Sequence, residues 1–600
     1  MQWQWRSCEE TAVSRLATEA KLPQTVARLL VQRGITDAEA ADRFLHPDLS
    51  HLHDPYLMLG MKTAIGRLQR AITTKEPLLI YGDYDVDGTT AVVVLKTCVE
   101  LLGGVAEFHV PHRIREGYGM RDDVLENAAA AGIKLVISVD TGIRAFAAAE
   151  TARRLGLDLI VTDHHLPEIG EALPFALAVL NPNQPGCDYP CKELCGAGVA
   201  FKIAQALLTA GGPQFERLIP SFIKMAAIAT IADAVPLVGE NRVIASLGLR
   251  GLRRPVNHGL KSLLQVSQLL GRSEPITATD IAFRVAPRIN AAGRMDVARD
   301  VVELFTSRDD TRTRELAEKL NALNTDRQSE EQRMMQQIHA RLDEDETLRS
   351  AYCVVIEGEG WHRGVIGIAA TRVVERTCKP ALVLAVDGEE AHGSGRSIHA
   401  FHLLDALESE HCRPLFTRFG GHSHAAGFAM PTANIAALRS ALDAYARTKL
   451  TPADFVAQLR VDAEVRLDEL TREWIDCISL LEPFGMGNPE PVFVARNLRV
   501  LQPPKVMKEK HIKLRVSQQA PNNGETRGKQ PRAFDAIGWR MAEQLQQDPL
   551  LIGDTTDIAF KIDENQHPDF GGLQLVMCDY TRAGEMAMSA NAKETVQASR

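Results

Sequence analysis

Little in this chain of 600 residues points to a membrane or to an oxidising compartment. No uninterrupted apolar run approaches the roughly 20 residues that a bilayer-spanning helix needs. The opening Met1-Gln2-Trp3-Gln4-Trp5-Arg6 lacks the apolar core of a secretory signal. Cysteine is sparse, ten in the whole chain with no Cys-x-x-Cys pair, so reduced and mostly buried thiols are expected rather than a disulfide framework. Low-complexity tracts and internal repeats are also missing. These absences leave a cytoplasmic globular protein, long enough for three or four domains. Positive charge is short as well: 68 Lys and Arg stand against 77 Asp and Glu. A net charge of −9 argues against nonspecific nucleic-acid binding by the surface as a whole.

Acidic residues, by contrast, recur where a buried strand should end. The apolar run Leu78-Leu79-Ile80-Tyr81 leads into Asp83-Tyr84-Asp85-Val86-Asp87-Gly88, and Gly88 allows a tight turn into an apolar, helix-length segment from Thr89 to Leu102. Three alternating carboxylates in an apolar setting repel one another unless cations neutralise them. Leu135-Val136-Ile137-Ser138-Val139 ends in Asp140-Thr141-Gly142, and Leu157 to Thr162 ends in Asp163-His164-His165. Asp233 follows the apolar stretch Met225 to Ala232. Apolar strands alternating with helical segments predict a parallel α/β sheet. Ligands of such sheets collect at the carboxyl ends of the strands, so the four acidic sites are expected to converge on one crevice. Four independent surface turns are the plain alternative.

The donor types suit divalent cations. Two metals held close together can activate a water, bridge a phosphate and stabilise the leaving oxygen. Such a site needs a carboxylate shared between the metals and others on each flank. Asp85, Asp87, Asp140 and Asp233 supply these, with His164 as a nitrogen ligand that tilts preference from Mg2+ towards Mn2+. Asp83 and His165 are placed either to orient the ligands or, for His165, to act as general acid or phosphate contact. Cys187, Cys191 and Cys195 are regularly spaced, but they lie in a Pro- and Gly-containing loop with no fourth ligand at zinc spacing, so a zinc site is not expected.

Along the chain, residues 1–60 read as an N-terminal helical segment and 61–309 as the catalytic α/β domain. A long helix over 310–348 carries apolar stripes at Leu316, Leu320, Leu323 and at Met334, Ile338, Leu342, separated by a polar middle from Asn324 to Arg333; such a helix is expected to bridge two domains across solvent. A second α/β unit covers 349–450. Short alternating strands in 451–581, such as His511-Ile512-Lys513-Leu514-Arg515-Val516, have the texture of an OB-like β-barrel that binds single strands. A flexible tail is expected over 582–600. Between Leu501 and Arg540 nine Lys or Arg (505, 508, 510, 513, 515, 527, 529, 532, 540) face three acids, Glu509, Glu525 and Asp535, a basic patch on an acidic protein.

Taken together, Asp83 to Gly88, Val139-Asp140-Thr141-Gly142, Asp163-His164-His165 and Ile231 to Leu237 resemble the motif series of the DHH phosphoesterase superfamily. Pro287-Arg288-Ile289-Asn290-Ala291-Ala292-Gly293-Arg294 resembles its RecJ branch, the single-strand-specific DNA exonucleases. Trp361 to Gly367 and Gly420 to Gly427 resemble the DHH-associated domain, and Leu481 to Pro489 the linker entering the OB-fold domain. The resemblance runs through nearly the whole chain in order. It implies a 5′-to-3′ exonuclease that releases 5′-mononucleotides from single-stranded DNA in recombination and repair, with Asp85 and Asp87 as metal ligands, Asp140 as their bridge and two Mn2+ or Mg2+ ions as cofactors. A single-stranded-DNA-binding protein and a helicase are partners implied by the family alone, and a monomer is expected.

In that setting Arg288 and Asn290, in a loop bounded by Pro and Gly, suit a phosphate grip. Ser394 and Arg396 in Gly393-Ser394-Gly395-Arg396-Ser397 suit a terminal 5′-phosphate, a flexible turn being the alternative. His422 after Gly420-Gly421 suits a phosphate contact. Lys508, Lys510 and Lys513 would track the DNA backbone. Rival readings are a DHH enzyme acting on pyrophosphate, polyphosphate, short RNA or cyclic dinucleotides, and a non-catalytic DNA-binding scaffold.

Overall fold

Alternation along the strand Pro77–Tyr81 sets the central layer of the structure. Leu78 and Ile80 join one apolar core, with Leu135, Ile137 and Ile160. Leu79 and Tyr81 join the core on the opposite face, with Val136, Leu159 and Val161. A strand buried on both sides carries apolar residues at every position, as parallel sheets do. The computed structural model describes residues 1–113, 116–117, 119–168, 170, 172–295, 298–519, 532–565 and 572–582, and it divides into two units, Asp48–Val456 and Met1–Pro47 with Ala457 onwards.

In the larger unit five parallel strands run in the order Val105–His109, Pro77–Tyr81, Leu135–Val139, Asp158–Thr162, Ala178–Leu180. From Pro77–Tyr81 the chain steps to one side and then returns to the other, so strand order reverses between Pro77–Tyr81 and Leu135–Val139. Such a switch point opens a crevice beyond the strand ends. The helices Val86–Leu101, Gly196–Ala210 and Ile219–Ala232 are buried on nearly all sides, which explains their all-round apolar sequences. Met225 to Ala232, read above as one of the strand-like runs, is thus the end of a helix: its length, extending back to Ile219, separates a buried helix from a buried strand where periodicity cannot.

The helix Asp310–Glu344 starts with the Asp309 carboxylate accepting from the Thr311 and Arg312 amides. Leu316 and Leu320 pack into the core of the first sheet, while Met334, Ile338 and Leu342 pack under a second one. Its polar middle is exposed at Thr325, Asp326, Gln328, Ser329, Gln332 and Arg333, but one edge of it turns inward. Asn324 and Arg327 are buried, with the Arg327 guanidinium donating to Asn324 and Glu331 at 2.9 Å each. The second sheet has the order Arg418–Gly421, Ala425–Pro431, Glu390–Arg396, Ala381–Asp387, Val354–Glu359, with only the last pair parallel.

The smaller unit is a barrel with helices attached. Phe493–Val500, Thr555–Asn565, Gly572–Arg582, Ala533–Gly538 and His511–Gln518 pair in sequence, and His511–Gln518 returns to Phe493–Val500, closing five strands into an OB-like ring. Residues before Pro47 do not stand apart as an N-terminal segment. Gln2–Trp5 pairs in parallel with Gln458–Val461, and Val13, Leu16, Leu29 and Leu30 share a core with Phe493, Phe560 and Trp474. Three short helices bury too little apolar surface to persist alone, so they complete the barrel instead.

Candidate active site

The acidic residues following Tyr81, Val139 and Thr162 meet at the switch point. Asp85 caps the helix Val86–Leu101, its Oδ1 accepting from the Gly88 amide at 3.0 Å. A Cβ at position 88 would stand 2.6 Å from the Asp83 carbonyl oxygen, so only glycine closes this turn. Asp87, in the first turn of that helix, accepts from the amides of Gly196 and Ala197 at 2.5 and 2.8 Å. These are the first amides of the helix Gly196–Ala210, whose positive end favours a carboxylate. Asp140 is left-handed (φ 58°), which swings its side chain into the crevice. His164 Nε2 lies 3.2 Å from Asp140, 3.8 Å from Asp87 and 3.8 Å from Asp233, which comes from the end of the helix Ile219–Ala232.

Donor atoms of Asp83, Asp85 and Asp140 fall within 4.8 Å of one another, as do those of Asp87, His164 and Asp233, and those of Asp140, His164 and His165. Asp140 belongs to two of these groups, and His164 links it to the third, with Asp87 and Asp233. The charges demand cations. Burial, with Asp85 next to it, pushes Asp83 up to about 8; burial and Asp87 push Asp233 to about 8. Burial and neighbouring carboxylates also raise Asp85 and Asp140. Asp83 Oδ1 is buried with no hydrogen-bond partner. A pocket of acids that holds protons for want of positive charge, with an orphaned oxygen and an imidazole that burial keeps neutral, fits Mn2+ or Mg2+.

Asp163, by contrast, sits behind the donors. Its carboxylate accepts from the amides of Ile143, His164 and His165 and lies 2.7 Å from His165 Nδ1. Burial acts to lower the His165 imidazole, but the Asp163 hydrogen bond and charge outweigh it and hold it above its ordinary value. The ring is thereby oriented and kept disposed to carry a proton.

Opposite the acids stands a cluster of arginines. A cleft of about 310 Å3 is lined by the acids, both histidines, Tyr84, Asn290, Arg113 and Arg294. Arg113 lies over the Tyr84 ring at 5.2 Å, and Arg294 donates to the Gly364 carbonyl at 2.7 Å, reaching into the second α/β domain. Burial, then Arg113, Arg327 and Arg396, pull Arg294 down to about 10, and burial with Arg113 lowers Arg396. Among the described residues none of Arg113, Arg294 and Arg396 has a carboxylate partner. Half-buried guanidinium groups crowded together without an ion-pair partner make an anion site.

Ser394 and Arg396 belong to this cluster, but on the strand Glu390–Arg396, not in a flexible turn. Arg396 Nη1 donates to Ser394 Oγ at 3.1 Å. Asn290 lines the cleft and its Oδ1 takes the Val86 amide at 3.2 Å. Arg288 does not line it. Both lie on the helix Ala286–Met295, not in a loop, and Arg288 donates to Asn321 Oδ1 at 2.9 Å and to the Arg284 carbonyl, joining two helices. His422 is exposed at the end of the strand Arg418–Gly421. Lys508, Lys510 and Lys513 lie in the other unit; Lys513 is paired with Asp535 at 2.9 Å. Arg527 and Lys529 of the basic patch, Glu525, and the tail from 583 lie outside the described residues. Cys187, Cys191 and Cys195 are buried and join none of the donor groups.

Sequence reading did not pick out Arg113, Arg294 or the Gly196 amide as site groups. Arg113 follows the strand Val105–His109 and was open to the same strand-end rule. Gly196 carries no functional atom on a side chain, yet a Cβ there would stand 2.5 Å from Asp140 Cβ and 2.7 Å from its Oδ1. Gly196→Ala is therefore expected to displace Asp140 and lower kcat about 10- to 100-fold, the effect of losing a ligand's support. Circular dichroism should show the fold unchanged; full activity would mean that the helix shifts freely.

The parallel sheet with acids and a His pair at its switch point, joined to a second domain that brings arginines, defines a DHH-type phosphoesterase. Residues 77–230 match the DHH family N-terminal domain, 349–448 the DHHA1 domain and 461–579 the RecJ OB domain. The single-stranded-DNA-specific exonuclease RecJ of Bacillus subtilis is 39% identical over 582 residues, 96% of this chain and 70% of that protein. RecJ of Dickeya dadantii is 34% identical over 93% of this chain and 96% of its own length. The crystal structure of RecJ from Thermus thermophilus in complex with Mn2+ superposes with a TM-score of 0.79 at 27% identity, covering 97% of this chain and 79% of that one; its Mg2+ complex gives 0.74 at 26%, with the same coverage. The chain belongs to the RecJ family.

Proposed function

We infer that this chain is a single-stranded-DNA-specific exonuclease of recombination and repair, removing 5′-mononucleotides from the 5′ end. The observation that carries the reading is the facing of a metal-type acid cluster by an unneutralised arginine cluster across one cleft of about 310 Å3. That volume is near the lower end for ligand pockets. In this reading Asp83, Asp85, Asp87, Asp140, His164 and Asp233 hold two divalent ions, Mn2+ or Mg2+. Bound there, such ions polarise a phosphoryl oxygen and make water nucleophilic at neutral pH. Asp163, 2.7 Å from His165 Nδ1, orients the ring and keeps it disposed to serve as general acid. Arg396, Ser394, Arg113 and Arg294 grip the terminal 5′-phosphate one step beyond, which sets both direction and the size of the product.

Among the described residues no helix is long and apolar enough to cross a membrane. The same proposal places the chain in the cytoplasm as a monomer, working beside a single-stranded-DNA-binding protein and a helicase, and affinity capture with mass spectrometry checks those partners. The deciding experiment is digestion of single strands labelled separately at each end, with Mn2+, with Mg2+ and with chelator. Prompt, metal-dependent release of mononucleotide from the 5′ label, absent on blunt duplex, is the expected result. Intact DNA beside cleaved pyrophosphate or cyclic dinucleotide would remove the substrate and keep the site.

A further inference from the structure

The parallel sheet ends one residue short of the histidine pair. Its last rung there is the Asp163 amide, which donates to the Leu180 carbonyl at 3.0 Å between the strands Asp158–Thr162 and Ala178–Leu180. The next donor on that side is Pro182 of Asn181-Pro182-Asn183, and proline has no N–H to continue the ladder. The carbonyls of His164 and His165 are taken nevertheless. Asn181 Nδ2 donates to the His165 carbonyl at 2.8 Å, and Asn183 Nδ2 to the His164 carbonyl at 2.9 Å. A carboxamide offers the same kind of donor as a peptide group, so two side chains carry the sheet on where the backbone cannot. Asn181 is itself fixed, buried with its Oδ1 accepting from the Asn183 amide at 2.7 Å.

The loop that starts with these asparagines is tied to the other donors as well. Asn183 Nδ2 also donates to the Lys192 carbonyl at 3.1 Å. The Lys192 ammonium donates to the carbonyls of Pro182 and Cys187 at 2.8 and 2.5 Å, drawing the loop into a ring. Its far end delivers Gly196 and Ala197, whose amides hold Asp87. Asn241, buried, donates to the Glu193 carbonyl at 2.6 Å and to the Pro236 carbonyl at 3.2 Å. Pro236 follows Asp233 across Ala234, which is left-handed (φ 56°) without being a glycine. Such backbone strain persists only where the surroundings enforce it. Three carboxamides thus join, through one loop, the backbone of His164, the amides under Asp87 and the arm that bears Asp233. Those three residues form one of the donor groups of the cleft.

We propose that Asn181, Asn183 and Asn241 are positioning residues of the metal centre, setting the spacing of Asp87, His164 and Asp233 before a cation arrives. The loop over 181–195 is then the frame of the site. The proposal rests on the reading of these residues as a Mn2+ or Mg2+ site and adds to it the groups that hold the donors in place. A ligand has to be kept within about 0.5 Å of its working position, which an imidazole on an untethered backbone is not. His164 is the nitrogen donor of the group and favours Mn2+ over Mg2+, so loosening it costs Mn2+ more.

The test uses the full chain without DNA, with free Mn2+ counted by its electron paramagnetic resonance signal and Mg2+ measured by competition against it. Asn183 is the residue to change, since it is half-buried and holds the histidine backbone directly. Asn183→Ala is expected to weaken Mn2+ binding about 10- to 100-fold, the cost of removing a ligand's support, and Mg2+ binding less, so that the preference for Mn2+ falls. Asn183→Ser, which keeps a hydroxyl donor, should recover part of both. With a single strand as substrate, KM should hold its wild-type value and kcat should return at saturating Mn2+. Asn241→Ala, which loosens oxygen donors only, should weaken both ions by one factor; unchanged binding would remove Asn241 from the frame. If Asn183→Ala weakens both ions equally, or neither, Asn183 serves packing alone and the proposal falls. Should that variant fail to fold, the ratio of Mn2+ to Mg2+ affinity in Asn183→Ser decides on the same terms. A wild type that binds neither ion overturns the metal reading of the site itself, whatever the variants show.

Discussion

Asp140→Asn is expected to lower metal-dependent release of nucleotides by about 10^3-fold or more while single strands still bind. The size follows from the several kcal/mol of transition-state stabilisation that metal ions supply, at roughly 1.4 kcal/mol per tenfold in rate. Asparagine keeps the shape of Asp140 but removes the charge that it brings to two of the three donor groups. The same substitution should stabilise the metal-free protein, because it relieves repulsion with Asp83, Asp85 and Asp87, which burial intensifies. The pH dependence gives the sign. Asp83 and Asp233 titrate near 8 in the fold, far above an unfolded carboxyl at about 4, so the metal-free folded state carries protons that the unfolded state has lost. Their contribution to stability is therefore full at low pH and falls as pH rises from about 4 through about 8. Thermal unfolding in chelator should show Tm dropping over that window, Mn2+ should raise it most at the upper end, and Asp140→Asn should blunt the Mn2+ effect. Equal activity and an unchanged Mn2+ shift would remove Asp140 from the centre of the site.

The acids and histidines were legible because each interrupts an apolar run at a place where burial gives a carboxylate no other partner. The parallel sheet was legible from its apolar runs, but its strand order and the strands Val105–His109 and Ala178–Leu180 were not. Asp233 was found by its position but assigned to the wrong kind of element, since an apolar run of eight residues looks alike on a buried helix and a buried strand. Arg288 was placed in a loop and lies on a helix instead. Its type suits phosphate, but on the helix Ala286–Met295 its side chain turns to Asn321, an orientation no local pattern reveals. Arg294, farther along the same helix, reaches Gly364 and lines the cleft. The polar middle of the long helix was read as solvated, and most of it is exposed; the exception is Arg327 with Asn324, which satisfy each other and are buried together. What sequence could not supply was partnership: Lys513 looks like a DNA contact until Asp535 is seen beside it.

The second large effect concerns the end of the strand. Arg396→Ala is expected to lower kcat/KM on a 5′-phosphorylated single strand by about 10- to 150-fold and to change it little on the same strand ending in a 5′-hydroxyl. Hydrogen bonds to a charged group are worth about 1.5–3 kcal/mol each, and the discrimination between the two ends should shrink by that amount. Arg396 is suited to this because it is half-buried beside Arg113 and donates only to Ser394 and the Gly395 carbonyl, so an arriving phosphate would meet donors already aligned and without a rival anion. Gly367 contributes through its lack of a side chain: a Cβ there would stand 3.2 Å from both Arg396 Nη2 and Ser394 Oγ, tighter than most contacts and in the space a phosphate would use. Arg396→Lys should recover only part of the loss, since an ammonium cannot present the planar fork that holds two phosphate oxygens. End-labelled strands of both types, compared across the three proteins, give the answer directly. If Arg396→Ala loses activity equally on both ends, the residue supports the fold of the cleft and direction has another origin; if only the phosphorylated end suffers, polarity is set by an anion site on the second domain facing the acids of the first.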